Sequence, residues 1–239
     1  QSIKTIATGH YLKTVKKNDH FYIAHGKDEW KDQSFFLWGI SQETLKKTLF
    51  PLGNYKKQEV KAYLSARGER VLTGEKESVG VCFANSGNYR ELISELISGN
   101  NSDLLKGNFI DMNGRKIGEH QGIANYTIGQ RRGLGIYKNR ALYVVDICPK
   151  TQTVQLGSKT DLFRSSFMIE NYHVIDKKDF KKPVIVKIRY RKQAHWGRVE
   201  FVNESSAKVV LEKPLDSIAS GQTAVFYDDT KVLGGGFIA

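Results

Sequence analysis

The sequence predicts an α/β part over roughly the first hundred residues, followed by small antiparallel sheets or barrels. Before residue 100 the apolar residues recur mainly at helical spacing, whereas after it period-two segments and glycine-containing turns take over. The pattern changes at Gly99-Asn100-Asn101-Ser102, a run of turn-forming residues that marks a boundary. The length, 239 residues with 40% hydrophobic and 26% charged side chains, suits two domains or a large one and a small one.

Short strands at Ile3 to Ala7 and Phe21 to His25 begin the α/β part. Ser41 is a good N-cap for a helix from Gln42 to Phe50, with Glu43 in its positive first turn and Pro51 as its stop. A second helix runs from about Lys56 to Ala66, with Val60, Tyr63 and Leu64 on one face, and ends near Gly68, which can take the left-handed cap. Ser86 caps a third, whose stripe of Tyr89, Leu92, Ile93, Leu96 and Ile97 leads to Gly99. The expected strands beyond it are Gly107 to Asp111, Ala141 to Ile147, Thr153 to Leu156, Val184 to Arg191, Arg198 to Val202, Ala207 to Leu211, Thr223 to Tyr227 and Lys231 to Leu233. In Val184 to Arg191, alternation puts Val184, Val186, Ile188 and Tyr190 on one face and Ile185, Lys187, Arg189 and Arg191 on the other, so one side packs while the other offers three cations.

The chain carries 37 Lys and Arg against 25 Asp and Glu, a net +12, which together with 11 Tyr and 12 Phe hints at a polyanionic partner without assigning one. No apolar run is long enough for a membrane helix. The first residues lack the features of a secretory signal, and two cysteines 66 positions apart make a poor disulfide framework, so a reducing, cytoplasmic setting is expected.

Cys82 follows Arg67, Arg70 and Lys76, and cations nearby favour the thiolate that attacks or accepts sulfur as a persulfide; Val81 and Phe83 beside it fit a buried small hydrophobe equally. Cys148 ends an apolar strand and reads as structural, and no Cys/His spacing suits zinc. The turn Gly129-Gln130-Arg131-Arg132-Gly133-Leu134-Gly135 matches no nucleotide-binding fingerprint, and its arginines suit either phosphate contact or a solvated turn. Lys181 to Arg198 holds seven Lys and Arg and no acid, interleaved with Tyr190 and Trp196, which favours nucleic-acid contact. Gly9 and His10 follow a strand, and Lys31, Asp32 and Gln33 precede an apolar run; taken alone, each is an ordinary turn or element start.

In order, the chain reads Ala-Thr-Gly-His-Tyr at 7–11, Lys-Asp-Gln-Ser at 31–34, Leu-Phe-Pro-Leu-Gly at 49–53, Gly-Val-Cys-Phe at 80–83, Gly-Glu-His-Gln-Gly at 118–122, Thr-Ile-Gly-Gln-Arg-Arg-Gly-Leu-Gly at 127–135 and Gly-Gln-Thr-Ala-Val-Phe-Tyr at 221–227. This series resembles the tRNA-specific 2-thiouridylase family from end to end. The resemblance implies an α/β remnant of an ATP-pyrophosphatase (PP-loop) domain over 1–98, a mainly β central domain over 99–165 and an antiparallel β-barrel over 166–239. It implies a cytoplasmic, ATP- and Mg-dependent enzyme that adenylates O2 of the wobble uridine of tRNA and delivers sulfur from a cysteine persulfide, with a sulfur-relay protein as donor. By position, Cys82 matches the persulfide cysteine and Gly9 the residue that touches ATP. His10, Lys31, Asp32, Gln33, Arg189, Tyr190 and Gln222 match the tRNA-contacting positions. A disulfide bond also belongs to the family's attributes.

The sequence departs from that family in two ways. The Ser-Gly-Gly-Val-Asp-Ser type loop and the first catalytic cysteine are absent, so the chain reads as about the C-terminal two thirds of such an enzyme, inactive by itself. Val79 stands where the family usually has Thr, removing a hydroxyl near the sulfur. The alternatives are a non-catalytic RNA-binding protein and a degenerate paralogue.

Overall fold

The computed structural model describes residues 4–69, 106–136, 140–190 and 194–239; Cys82, Arg191 and the helix expected after Ser86 lie outside them. Contacts divide the chain into two units, one of Gln1–Gly74, Ser165–Lys213 and Ser220–Ala239, the other of Glu75–Arg164 and Pro214–Ala219.

In the first unit, β1 (Ile6–Ala7) is followed by a hairpin of β2 (Leu12–Lys17) and β3 (His20–His25). Its turn residues Asn18 and Asp19 have φ of 48° and 62°, the left-handed pair that matches the strands' own twist. The sequence pattern reveals only β3, because Lys13, Lys16 and Lys17 blur the alternation in β2. The helix capped by Ser41, whose Oγ accepts from Thr44 N at 3.2 Å, is shorter than expected: α1 spans Gln42–Lys46. Thr48 and Leu49 leave it to form β4 (Thr48–Leu49), which pairs in parallel with β1. The next helix, α2 (Lys57–Ala66), starts where Glu59 bonds back to Lys56 N and ends before Gly68 at φ 73°, as expected. Its apolar face is not buried, however, since Tyr63 and Leu64 are exposed.

The second unit carries β5 (Gly107–Ile110), β6 (Lys116–His120), β7 (Tyr143–Cys148) and β8 (Thr153–Gly157) in the order β6-β5-β8-β7. Its outer pairs are antiparallel and its central pair, β5 with β8, is parallel. Phe109, Leu134, Leu142, Val144, Val154 and Leu156 form its core.

The last six strands are β9 (Arg164–Val174), β10 (Val184–Lys187), β11 (His195–Phe201), β12 (Ser206–Leu215), β13 (Thr223–Asp228) and β14 (Lys231–Ile238). They run β13-β10-β11-β12-β9-β14, and the pairing of β13 with β14 closes them into a barrel. The α/β start, the small central sheet and this antiparallel barrel agree with the fold class read from the sequence. Closure removes unpaired edges. Val184, Val186, Ile169, Val209, Phe226 and Leu233 fill the interior at 1% exposure or less, each burial worth about 1.5–3 kcal/mol. The hairpin attaches to this barrel, since Ala24 of β3 is in register with Lys231 of β14.

In the barrel, β9 is absent from the sequence pattern and β14 is longer than expected, for different reasons. In β9 only Ile169 is buried, so no alternation shows. In β14 the expected strand ends at Leu233, before three glycines that ordinarily weaken a strand. Here they permit contact: a Cβ on Gly234, at φ 149°, would stand 2.2 Å from His173 O, and one on Gly235 would meet the Trp38 ring at 2.8 Å. Gly234→Ala is therefore expected to cost more than about 3 kcal/mol, lowering the melting temperature by roughly 6–12 °C. Gly114→Ala, at φ 77° with nothing within 4 Å of its Cβ, should cost only about 1 kcal/mol. Thermal denaturation of the two variants checks the contrast.

Candidate nucleic-acid interface

The sequence-predicted segments of the first unit meet at the backbone around Asp32, whose carboxylate is buried. Asp32 is 9% exposed, and a buried carboxylate requires donors. Its Oδ1 accepts from Gly26 N at 3.2 Å and its Oδ2 from the Ser34 hydroxyl at 2.7 Å. Its backbone is held as well: a parallel bridge joins it to Tyr11, and the Tyr190 hydroxyl donates to its carbonyl oxygen at 2.6 Å. The neighbouring Gln33 side chain accepts from Tyr11 N at 3.3 Å. Thus His10, Lys31, Asp32, Gln33, Arg189 and Tyr190, drawn from three stretches of chain, are brought to one place. His10 is oriented by a bond between its Nδ1 and the Thr8 hydroxyl and by an edge-on contact with Phe50.

Tyr190 reaches Asp32 because the strand expected to run to Arg191 ends at Lys187, and the chain turns through Ile188 to Tyr190. The turn leaves Ile188 buried at 4% and packs Tyr190 against Phe36 with the rings tilted by 45° and their centres 4.7 Å apart.

Three residues that the sequence does not single out complete the cluster. Tyr227 places its hydroxyl 3.3 Å from Ser34 Oγ, and burial raises its pKa. Lys187 lies half-buried with Nζ 4.6 Å from the Tyr227 ring centre; burial lowers its pKa, and Asp32 opposes that shift. His25 packs its ring against Tyr227 and holds Nε2 3.9 Å from Asp32 Oδ2. Burial lowers its pKa, the Asp32 charge counteracts this, and the Lys187 charge adds to it. Tyr227 ends the Gly-Gln-Thr-Ala-Val-Phe-Tyr motif and Lys187 stands in the cationic row, but no local pattern shows that one covers the other.

Gly9 is exposed, and a Cβ there would meet only Leu52 Cδ1 at 3.9 Å, so the chain leaves that position open to close approach. Gln222 falls elsewhere, just before β13 and five residues from Tyr227, a separation of roughly 17 Å along an extended strand. Its backbone carbonyl accepts from Ile238 N at 2.7 Å. Cys82 lies outside the described residues, and Cys148 is a free thiol. Among the described residues no three His, Cys, Asp or Glu side chains gather to hold a metal ion, and no helix is long and apolar enough to cross a membrane.

A cluster of cationic, amide and aromatic side chains, built where a closed antiparallel barrel meets an α/β segment of the same unit around the buried Asp32, defines a modular β-barrel protein with a polar candidate site. Residues 1–86 match the tRNA methyl transferase HUP domain, 99–158 the tRNA methyl transferase PRC-barrel domain and 164–238 the aminomethyltransferase beta-barrel domain. The chain is 40% identical to tRNA-specific 2-thiouridylase MnmA 1 of Bacteroides fragilis over 243 residues, 98% of this chain and 66% of that protein. It is 42% identical to MnmA 2 of Phocaeicola vulgatus, over 97% of this chain and 66% of the relative, and 36% identical to MnmA of Carboxydothermus hydrogenoformans, over 98% and 64%. The chain belongs to the tRNA-specific 2-thiouridylase family and spans just under two thirds of the length of these relatives.

Two outcomes follow from the cluster. Asp32→Ala strips the Gly26 amide and the Ser34 hydroxyl of their acceptor and should cost about 3 kcal/mol in urea denaturation. The second concerns pH: His25 has a folded pKa below the 6.5 of the free side chain, so the unfolded chain takes up the proton first. The stability this contributes is complete above about pH 6.5 and is lost as pH falls through the folded value. Urea midpoints measured from pH 8 to 5 should decline in the acid range, and less steeply for His25→Asn.

Proposed function

We propose that this chain is the tRNA-binding and sulfur-carrying part of an enzyme that replaces the 2-oxygen of the anticodon wobble uridine with sulfur. The chemistry has three steps. ATP converts O2 into an adenylate, a far better leaving group, with loss of pyrophosphate; the outer sulfur of a persulfide on Cys82 bonds to C2 while AMP departs with the former O2; a second cysteine thiol then attacks Cys82 Sγ, breaking the S–S bond so that sulfur stays on C2 and the two cysteines are left as a disulfide. A sulfur-relay protein, acting in the cytoplasm, supplies that sulfur. The observation that carries this reading is that backbone and side-chain bonds join the segments carrying His10, Lys31 to Gln33, and Arg189 with Tyr190, in a chain whose relatives are named tRNA 2-thiouridylases.

The residues divide by what each can offer. Lys31, Arg189 and His10 supply cationic or hydrogen-bonding contacts to phosphate and base edges, and Tyr190 adds a ring at the same place. Asp32, already engaged by two donors, acts by positioning its neighbours. Gly9 is the proposed point of contact with ATP, supported by its open approach, and Gln222 is proposed as a separate tRNA contact at the far end of β13. Residues 1–98, 99–165 and 166–239 are taken as the three functional domains. A second reading, a paralogue that has lost or changed its substrate, is favoured by Val79 in place of the family's usual threonine near the sulfur.

Cys82→Ser in the full-length protein is expected to abolish 2-thiouridine formation, measured by nucleoside mass analysis, while tRNA affinity stays close to that of the parent. Arg189→Ala should weaken tRNA binding and reduce its salt slope by about 0.7–0.9. Normal thiolation by the serine variant would overturn the assignment of Cys82.

A further inference from the structure

The turn Gly129 to Gly135, in the second unit, takes no part in the cluster around Asp32. Its backbone is strongly specified. Gly129, Gly133 and Gly135 have φ of 87°, 73° and 67°, values that side chains disfavour, and a Cβ on Gly129 would lie 2.4 Å from Ser217 Oγ. Gly129 N donates to Val144 O at 2.8 Å and Val144 N donates to Gln130 O at 2.9 Å, which ties the turn to β7. Inside it, the Gln130 side chain accepts from Thr127 N at 3.1 Å and donates to the Arg132 carbonyl at 2.9 Å. Leu134, 7% exposed, roots the far end in the core.

What this fixed backbone presents is Arg131 and Arg132, both exposed, and among the described residues no carboxylate pairs with either. Beside them opens a shallow groove of about 420 Å³ lined by Gln121, Asn125, Tyr126, Gln130, Arg132 and Gly133. None of these is acidic. A site for a small apolar ligand would be lined mostly by hydrophobic side chains, whereas amides, a phenol ring and guanidinium groups suit the hydroxyls and phosphates of a ribose chain.

We propose that this groove and its two arginines form a second RNA contact, which grips the sugar-phosphate backbone of the substrate RNA through the second unit. The inference rests on the reading of the chain as a tRNA-binding protein and adds to it a surface outside the Asp32 cluster. The turn is rigid because phosphate recognition by two forks requires their bases to be fixed, and the arginines are left without carboxylate partners because an internal carboxylate would compete with the phosphate.

The test is binding of this chain to an unmodified tRNA transcript, followed by fluorescence anisotropy over a series of KCl concentrations. Arg131→Gln with Arg132→Gln should weaken binding about tenfold at low salt and make the salt slope shallower by about 0.7–0.9 per phosphate no longer neutralised. Lys208→Gln with Lys213→Gln removes the same charge from exposed positions in the first unit and should change affinity far less. Arg131→Lys with Arg132→Lys should keep the slope and lose part of the affinity, since charge remains but the forks do not. Inorganic phosphate at matched ionic strength should fail to compete. Parent-like binding by the glutamine pair, an equal loss in the lysine control, or displacement by free phosphate would each overturn the proposal while leaving tRNA binding by the chain intact. No binding by the parent chain would remove the functional reading and this inference with it.

Discussion

The first unit is organised around the burial of one carboxylate. Removing Asp32 from water costs several kcal/mol unless its oxygens are given donors, and each donor found comes from a different local structure. Gly26 follows the end of β3, and Ser34 begins the 3₁₀ turn that leads to Phe35. Meeting that requirement fixes the path of residues 26–34. The same path brings the Asp32 backbone against Tyr11 and Tyr190, and so joins the barrel's β10 end to the segment carrying Gly9 and His10. Lys31 and Gln33 gain their positions from a neighbour that has no freedom to move. In this way a buried polar group that is costly to truncate determines which side chains are held together.

The barrel supplies what a loop cluster alone lacks, a fixed base. Closing six strands requires backbones to approach closely where β14 passes β9 and Trp38, and the run Gly234 to Gly236 answers that steric demand. The short side of β10 has a complementary effect. Because β10 leaves the ladder at Lys187, the next residues are free to turn toward Asp32 instead of continuing along the sheet, which places the Arg189-Tyr190 pair at the site.

Much of this is legible in the sequence, and the failures have physical causes. Ser41 as a cap and Gly68 as a stop are readable because capping depends on one or two adjacent residues. The inward face of Val184, Val186 and Ile188 is readable from alternation. The hairpin strand β2 and the barrel strand β9 are not, since neither buries enough of one face to leave a period-two trace. The expected α1 is too long because Thr48 and Leu49 choose between a helix end and a strand by their pairing with Ile6 and Ala7, which is nonlocal. For the site, residue types and their order point to segments that the fold brings together around Asp32. The packing of His25, Lys187 and Tyr227 around Asp32 is illegible, because it depends on a contact between residues nearly two hundred positions apart.

The net charge of +12 is a poor guide until its members are sorted by environment. Lys27 with Glu59, Lys47 with Glu43, Lys116 with Glu119, and Lys182 and Lys231 with Asp228 are paired, so they contribute little to the outward field. Lys187 is turned inward over an aromatic face and serves the internal cluster. The cations open to an outside anion are therefore a subset, those held outward without carboxylate partners. Among the described residues, Arg131 and Arg132 satisfy that condition within the second unit, on a turn that places Gly129, Gly133 and Gly135 at positive φ. Composition counts every lysine and arginine alike; the fold decides which of them a phosphate can reach.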